Sequence, residues 1–546
     1  MKPGARAAAA AAALAPLPFL AAARAGFLNW DDRANLVDNR AYRGFSAASL
    51  RWMWTTHFRG PWQPLSWLSY ALDRALWGLN APAMRLTNLA LHAAAAGIFA
   101  LVARRVLDSA LSERVPARAR ELGAFAAACA FALHPLRVES VVWLTERRDV
   151  LSGLFFMAAW LAYLDGKRFA ALAAFAAALL SKGTATILPV YLLACESYPL
   201  GRLRQDPGAA ARRLAPFFVL ALLAGAMNLR GLGADLQVPW IGWRTRLAIA
   251  AHAPGFYLIK TIWPAGLSPY YPLLSPPSRL AAHFALYALV GLAATSAAWR
   301  ARAPWAWTAW AAFLAALAPV SGLFQNGAQI AADRYTYLPS LPLFLIFGGV
   351  VARSASRWFA PSALVSTVLI VVLSSLSWRQ SLFWRDDRAL WTRAVALAPD
   401  GYLPRANLAA ADLAAGDSSA ALSDEREVLR LRPDDFDARL NAGVLCLESG
   451  EIDEAQGDLR AALALRPDSA EAAVDLANVL SARGDRRGAL DLLDAAVHEN
   501  PAFAPAQFNR GLILRALGRK AEGDAQLKAA LTLDPSLAAR LRRAAR

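Results

Sequence analysis

A 34-residue period in the C-terminal third is the feature that most constrains how this chain folds. Five prolines and four glycines follow this spacing: Pro399, Pro433, Pro467, Pro501 and Pro535, with Gly416, Gly450, Gly484 and Gly518. Glycine permits a tight turn between two helices, whereas proline ends a helix. Alanines recur at fixed distances from both residue types, where small side chains would let neighbouring helices approach closely. The period therefore predicts a stack of helix pairs.

This pattern resembles the tetratricopeptide repeat, a helix pair of 34 residues. We expect four repeats, at 402–435, 436–469, 470–503 and 504–537, after a half repeat in which Trp391 and Ala394 take the large and small positions. Stacked repeats bury a continuous core and present a concave surface. We assign residues 384–546 to this repeat domain.

A polar ladder has the same spacing and consists of Asn407, Asn441, Asp475 and Asn509. Amides repeated on the inner helices can hydrogen-bond to the backbone of an extended peptide with little regard for its sequence. Alternatively, these residues only face a solvated groove. We favour peptide binding, because asparagine is a poor residue for a helix interior and its repetition calls for a reason.

Residues 1–383 have the composition of a membrane domain. The whole chain is 57% hydrophobic and contains 19 tryptophans. A first apolar segment ends near Leu28, and ten more follow at 86–106, 121–136, 150–165, 169–181, 184–199, 214–229, 281–298, 304–323, 337–352 and 361–378. Residues 247–264 are interpreted as a re-entrant or interfacial helix. The predicted fold is therefore all-α, a membrane bundle of about eleven spans followed by an α-solenoid of repeats.

The formal charge of +17 is unevenly distributed. Residues 400–546 carry a net charge of −5, which leaves +22 for residues 1–399. Basic loops between membrane segments are typical of the cytoplasmic face, so the charge indicates a lipid bilayer as partner and no nucleic acid. We predict a bacterial-type inner (plasma) membrane protein whose repeat domain is extracytoplasmic. The three cysteines are too widely spaced for a disulfide framework.

Asp31 and Asp32 follow the first apolar segment and are expected on the extracytoplasmic face. Ionisable groups beside membrane helices are costly unless they line a polar cavity, which makes them functional candidates. The alternative is that they cap a short interfacial helix. Adjacent carboxylates are also able to bind a divalent ion, the one metal cofactor that this sequence suggests.

Further loops on the same face carry polar residues that are unusual beside membrane helices: Gln63, Arg85, His134, Arg137, Glu139, Arg148, Asp149, Lys182, Asp333 and Arg334. Carboxylates and cations are thus paired on one membrane surface. This pairing suits transfer of a group from a lipid phosphate, where a carboxylate deprotonates the acceptor and cations stabilise the departing phosphate.

Motifs in these loops resemble a known family. WDD at Trp30, WQPLSWLSYALDRALWG from Trp62, LHPLRVESVVWLTERRDVLSGLFF from Leu133, SKGT from Ser181 and DRYTYLPS from Asp333 precede the repeats. In this order they resemble the transmembrane, tetratricopeptide-bearing O-mannosyltransferases, which belong to glycosyltransferase superfamily C. The resemblance implies transfer of mannose from a polyprenyl-phosphate sugar to Ser or Thr hydroxyls of a protein held by the repeats.

The resemblance also implies roles for individual residues. One carboxylate of the Asp31 and Asp32 pair would be the catalytic base, with Asp32 preferred, and Glu139 would line the active site. The residues expected around the donor are His134, Arg148, Asp149, Lys182, Arg334 and Gln63.

This chain departs from the family at three positions, since Gln63 replaces arginine, Arg85 replaces histidine and Gly183 replaces glutamate. The sugar could therefore differ from mannose. Two other functions remain open, namely a transferase that glycosylates a lipid or glycan and a non-catalytic membrane scaffold for envelope assembly.

Overall fold

The structure, a computed structural model, describes residues 4–231, 242–273, 277–323 and 329–544. The described residues are mostly helical, which confirms the predicted all-α class. Their strands form one antiparallel pair, β1 (Tyr271–Pro272) with β2 (Gln329–Ala331). The chain divides into two compact units, Met1–Pro399 and Asp400–Arg546.

The first unit is a bundle of helices joined by polar loops. Its α-helices are α1 (Ala5–Leu14), α2 (Ala47–Thr55), α3 (Pro64–Trp77), α4 (Ala81–Ala110), α5 (Ala117–Ala132), α6 (Val138–Val142), α7 (Arg147–Leu164), α8 (Arg168–Ser181), α9 (Leu188–Ser197), α10 (Arg202–Gln205), α11 (Pro207–Gly231), α12 (Trp243–Ile262), α13 (Pro277–Arg300), α14 (Pro304–Leu317), α15 (Leu341–Arg357), α16 (Phe359–Leu382) and α17 (Asp387–Leu397).

Five of the described helical segments are long and apolar enough to cross a membrane: Ala5–Ala22, Ala81–Ala110, Pro207–Arg230, Ala281–Arg300 and Phe359–Leu382. A sixth span is obtained if Ala117–Ala132 and Pro135–Val142, which are bent by 53°, count as one. The remaining segments predicted from the sequence fall on shorter or less apolar helices, such as α8 and α14. The chain is thus a multi-pass membrane protein, and the number of eleven spans stays a prediction.

Small residues let two of these helices touch along their backbones. α5 packs against α15 at Gly123 and Gly348, and a Cβ atom added to Gly123 would lie 2.4 Å from the carbonyl oxygen of Gly348. In lipid, where hydrophobic burial does not drive helix association, such close contact is a main source of stability. Substitution of either glycine would force α5 and α15 apart.

The predicted half repeat packs with the first unit. Trp391 and Ala394 of α17 are fully buried. Trp391 stacks on Trp30 with ring centroids 4.5 Å apart, and the backbone N–H of Asn29 donates to Asp387 at 2.7 Å. The structure therefore groups residues 384–399 with the membrane domain, and its division after Pro399 differs from the boundary drawn at 383 from composition.

The second unit contains the four repeats at the predicted positions. Its helices are α18 (Tyr402–Ala414), α19 (Ser418–Leu431), α20 (Phe436–Ser449), α21 (Ile452–Leu465), α22 (Ala470–Ala482), α23 (Arg486–Glu499), α24 (Ala504–Ala516), α25 (Lys520–Leu533) and α26 (Ala538–Ala544). The four periodic glycines are Gly416, Gly450, Gly484 and Gly518. Each lies in the turn between the two helices of a repeat, with φ between +80° and +89°. Because side chains rarely adopt this conformation, the turn requires glycine.

Candidate functional site

Polar loops at one end of the bundle bring seven ionisable side chains together. We call them the charged cluster: Asp31, Glu139, Glu146, Arg148, Asp149, Lys182 and Arg334. They come from the loop after the first helix, the stretch from α6 to the start of α7, the residue after α8, and the short 3-10 turn Asp333–Thr336. Residues far apart in the sequence thus lie in one cluster.

Glu146 lies at the centre of the charged cluster. Its Oε1 atom accepts a hydrogen bond from Arg148 at 2.6 Å and lies 3.3 Å from Nε of Arg334, while Oε2 accepts from Nζ of Lys182 at 2.7 Å. Burial works to raise the pKa of Glu146, but the three cations outweigh it and hold the pKa well below its usual value. Glu146 therefore stays ionised and fixes the position of all three cations.

Two further carboxylates complete this arrangement. Glu139 accepts hydrogen bonds from the backbone N–H of Arg334 at 2.9 Å and from its guanidinium. Asp149 accepts from Lys182 at 2.7 Å and from the hydroxyl of Ser140 at 3.0 Å. Both acids are buried, and their hydrogen bonds hold Arg334 and Lys182 in place.

Asp32 points into the protein. Its side chain is fully buried. Oδ1 accepts from the backbone N–H and the hydroxyl of Thr145 at 2.9 and 2.7 Å, and Oδ2 accepts from the N–H of Leu28 at 3.1 Å. Burial raises the pKa of Asp32 to about 6, against the effect of these hydrogen bonds. This geometry favours a structural role for Asp32, which joins its own segment to the one that contains Thr145, over the predicted role as the base.

Asp31 is the accessible carboxylate of the pair. Its side chain is 35% exposed, and Oδ1 lies 4.0 Å from a guanidinium nitrogen of Arg59. Burial raises the pKa of Asp31; the charge of Glu146 adds to this effect, while Arg148 and Arg334 oppose it. Because Asp32 is fully engaged with protein donors, the pair does not present two free carboxylates to a divalent ion.

Two of the departures from the family pattern have structural explanations. Arg85 is buried and donates to the carbonyl oxygens of Val142, Ala25 and Gly26 at 2.9, 2.5 and 3.0 Å. It therefore joins the segment at Ala25 and Gly26 to the end of α6 at Val142, and its hydrogen bonds do not involve the charged cluster. A Cβ atom at Gly183 would lie 2.7 Å from Nδ2 of Asn228 on α11, so a larger residue there would displace that side chain.

Two residues expected around the donor are buried. His134 is buried, with Nε2 2.9 Å from the carbonyl oxygen of Thr261 and Nδ1 accepting from the N–H of Leu136. Both ring nitrogens are therefore engaged by backbone groups. Gln63 is buried at the start of α3, where its Oε1 atom has no hydrogen-bond partner in the described structure.

Aromatic side chains border the charged cluster. The indole of Trp30, the residue before Asp31, lies 5.9 Å from the ring of Trp143 and 6.0 Å from that of Tyr270. The guanidinium of Arg334 lies over Trp143, with Cζ 5.4 Å from the ring centroid. These rings provide an apolar wall beside the cations, which suits a ligand with charged and hydrophobic parts.

The predicted polar ladder of the repeats is unevenly exposed. Asn441 is exposed, Asn407 and Asp475 are half-buried, and Asn509 is buried. Each one already has a partner within the repeats: Asn407 donates to the carbonyl of Leu403 at 2.9 Å, Asn441 to Glu425 at 2.8 Å, and Asn509 to Asn478 at 2.9 Å, whereas Asp475 accepts from Asn478 at 3.5 Å. A peptide would therefore meet Asn441 most directly.

The stability of the repeat domain is expected to depend on pH because of Glu425. It is buried, and burial raises its pKa to about 7 although Asn441 donates to it. The folded state therefore holds a proton that the unfolded chain loses near pH 4.5, so stability falls as pH rises from about 4.5 to about 7. We expect Glu425→Gln to stabilise residues 400–546 at pH 8 by on the order of 2–3 kcal/mol and to remove this pH dependence.

Thermal unfolding followed by circular dichroism at pH 5 and pH 8 checks this prediction. The matched control is Glu448→Gln, since Glu448 is exposed and lies in the same repeat as Asn441. Equal pH dependence in wild type and Glu425→Gln would contradict a titrating Glu425.

Comparisons with known proteins match both parts of the chain. The family model described as tetratricopeptide repeat matches residues 406–470, 447–480 and 474–538. Protein O-mannosyl-transferase Tmtc1 of Drosophila melanogaster is 30% identical over 209 residues, which cover 36% of this chain and 23% of that protein. Protein O-mannosyl-transferase TMTC2 of Mus musculus is 33% identical over 103 residues, 19% of this chain and 11% of that protein.

The chain spans less than a quarter of the length of these curated relatives. Among solved structures, YrrB, described as a tetratricopeptide-repeat protein with an unusual peptide-binding site, is 18% identical with a TM-score of 0.26. That match covers 32% of this chain and 89% of YrrB.

Proposed function

We propose that this TMTC-like membrane protein with tetratricopeptide repeats is a glycosyltransferase that uses a polyprenyl-phosphate sugar as donor. Its acceptor is a Ser or Thr hydroxyl of an extracytoplasmic protein held by the repeats, and the sugar is mannose by analogy with its relatives. The observation that carries the proposal is a single accessible carboxylate, Asp31, beside three cations whose positions are fixed by buried acids.

The reaction divides between these groups. Asp31 takes the proton of the acceptor hydroxyl as its oxygen forms a bond to the anomeric carbon of the sugar. The bond from that carbon to the phosphate oxygen breaks, and its electron pair leaves with the polyprenyl phosphate. Arg148, Lys182 and Arg334 stabilise the departing negative charge. This reaction needs no metal.

The cations retain hydrogen-bonding capacity for a phosphate. A lysine ammonium has three N–H groups, and Lys182 uses two of them, on Glu146 and Asp149. The Nε atom of Arg148 has no protein partner in the described structure. We therefore assign Lys182, Arg148 and Arg334 to the donor phosphate. Glu139, Glu146 and Asp149 are positioning residues in this proposal.

The aromatic wall and the repeats supply the remaining binding surfaces. Trp30 and Trp143 lie beside the cations, where they can pack against the first isoprene units or the sugar ring. The acceptor chain binds the concave face of the repeats, with Asn441 as a backbone contact. We place this chemistry on the extracytoplasmic face of a bacterial-type plasma membrane, following the distribution of basic loops.

Asn441 should matter more for acceptor binding than Asn509 does. We expect Asn441→Ala to weaken binding of an acceptor protein by about 5- to 30-fold, since one backbone-directed hydrogen bond is worth on the order of 1–2 kcal/mol. Asn509→Ala, at the buried ladder position, is the matched control and should lower stability with little effect on affinity. Calorimetric titration of an acceptor protein into wild type and both variants tests whether the polar ladder binds a peptide. Equal affinities of wild type and Asn441→Ala would contradict that role.

Sugar transfer in isolated membranes tests the proposed function directly. Labelled polyprenyl-phosphate mannose is added, and the label is followed by intact-mass analysis of envelope proteins and by chromatography of lipids. Label on protein supports the proposal. Label on a lipid other than the added donor, and on no protein, would identify a glycolipid transferase. Absence of transferred label would exclude mannose as the sugar, and it would favour a scaffold if a partner protein still binds to the repeats.

A further inference from the structure

A second cavity runs along the bundle from Pro342 to Arg353 of α15, and its Arg353 end lies opposite the charged cluster. It is a cavity of about 400 Å³ between the C-terminal parts of α4 and α9 and the facing parts of α14 and α15. The axial distance along α4 from Asn88, near the cluster, to Leu107, in the cavity wall, is about 28 Å at 1.5 Å per residue. This distance is close to the thickness of the hydrocarbon core of a bilayer, roughly 30 Å.

The cavity wall is apolar. Leu107, Trp160, Ala309, Leu345 and Gly349 line it together with further aliphatic side chains. Its inner polar groups are already satisfied within the protein: the hydroxyl of Tyr198 donates to the carbonyl of Ala110 at 3.3 Å, and the indole N–H of Trp160 donates to Sγ of Cys195 at 3.3 Å. The interior therefore suits a hydrocarbon chain better than a polar ligand.

One cation lies at the mouth of this cavity. Arg353 of α15 lines it and is exposed, and Val350 and Trp305 beside it are 56% and 44% exposed, so the cavity opens toward the lipid-facing surface. No acidic side chain in the described part of the chain forms an ion pair with Arg353. An apolar cavity with an uncompensated guanidinium at its entrance matches a lipid that has an apolar tail and an anionic head group.

We infer that the cavity between α4, α9, α14 and α15 binds one acyl chain of an anionic phospholipid whose phosphate group contacts Arg353. This site is separate from the donor site, since the cations assigned to the donor phosphate lie at the other end of the helices. A phospholipid at this position fills the space between α14 and α15 and holds the two helices at a fixed separation. The inference does not depend on sugar transfer.

Lipid retention by the full-length protein tests the site. The protein is reconstituted with equal amounts of phosphatidylglycerol and phosphatidylcholine that carry the same acyl chains, released into mild detergent and analysed by native mass spectrometry. We expect wild type to retain phosphatidylglycerol preferentially. Arg353→Gln should reduce this preference by about fivefold, the value of one cation near an anionic lipid surface.

A second variant fills the cavity itself. A Cβ atom at Gly349 would lie 3.6 Å from Cδ2 of Leu107, an ordinary contact, so Gly349→Leu places its side chain in the cavity without a backbone clash. We expect this variant to lose most of the retained lipid. Gly225→Leu on α11, where a Cβ would meet nothing within 4 Å, and Arg357→Gln at the end of α15 are matched controls that should behave as wild type.

Melting temperature in detergent establishes that each variant is folded. If Gly349→Leu does not fold, the head-group preference of Arg353→Gln alone tests whether the cavity binds an anionic phospholipid. Equal retention of both phospholipids by wild type and Arg353→Gln would overturn the inference. It would also be overturned if folded Gly349→Leu kept as much lipid as wild type, or if the retained molecule were a polyprenyl phosphate.

Discussion

Replacing Asp31 with asparagine is expected to lower the rate of sugar transfer by about 10²- to 10⁴-fold, the usual contribution of a general base. Asparagine has nearly the same shape as aspartate, but it cannot accept the proton of the acceptor hydroxyl. Because the side chain of Asp31 is partly exposed and has one distant ionic contact, the substitution should leave the melting temperature of the protein unchanged. Transfer of labelled sugar in membranes measures the rate, and thermal unfolding in detergent measures the fold.

Two other aspartates in the segment that follows Asp31 provide controls. Asp38→Asn, at an exposed position, should transfer sugar as wild type does. Asp32→Asn should lower the melting temperature, because its amide would place N–H groups against the donors of Thr145 or Leu28. Full activity in Asp31→Asn together with a loss in a folded Asp32→Asn would reverse the assignment.

The pH dependence of transfer provides independent information on Asp31. Burial raises its pKa above the ordinary value of 3.8. As a base it must be ionised, so the rate should rise with pH as Asp31 loses its proton and then become constant. The residual rate of Asp31→Asn should lack this rise, whereas that of Asp38→Asn should keep it.

The repeat architecture was predictable because each repeat obeys the same local rules. Gly450 must adopt positive φ, and Ala455 must fit between closely packed helices, so both requirements recur at each period in the sequence. The number and order of helix pairs follow from these positions alone. The boundary drawn at 383 stays a prediction, and Trp391, which fits the repeat pattern, stacks on Trp30 of the first unit.

The sequence indicated which polar residues the loops of the membrane domain contain. It did not indicate which of their side chains point into the protein. Asp31 and Asp32 are neighbours in a non-periodic segment, where no spacing rule shows which side chain turns inward. The contact with Thr145 sets the orientation, because Thr145 donates two hydrogen bonds to Asp32 from a loop 113 residues away. His134 is similar, because its partner Thr261 lies on a helix 127 residues later.

Glu146 was missed although its motif was recognised. It lies two residues before Arg148, in a run of charged residues. Arg148 and Asp149 in that run were predicted to contact the donor, whereas Glu146 was given no role. Its central position depends on contacts with Lys182 and Arg334, which lie far from it in the sequence, so no local spacing rule indicated it.

Loss of Arg334 is expected to cause the largest fall in stability among single changes in the charged cluster. Its guanidinium joins Glu139 to Glu146, whose side chains are 2% and 0% exposed. Removing one partner of a buried ion pair costs about 3–5 kcal/mol, because the remaining charge is left without compensation. Arg334→Ala should therefore lower the melting temperature markedly and also abolish sugar transfer.

A double variant separates these two effects. If the instability of Arg334→Ala comes from unpaired Glu139, then Glu139→Gln/Arg334→Ala should recover much of the lost stability, since it removes the uncompensated charge. It should not recover sugar transfer, because the cation assigned to the donor phosphate is still missing. A double variant as unstable as Arg334→Ala would contradict the charge argument. Sugar transfer by a stable double variant would mean that Arg334 supports the fold alone and that Lys182 and Arg148 suffice for the phosphate.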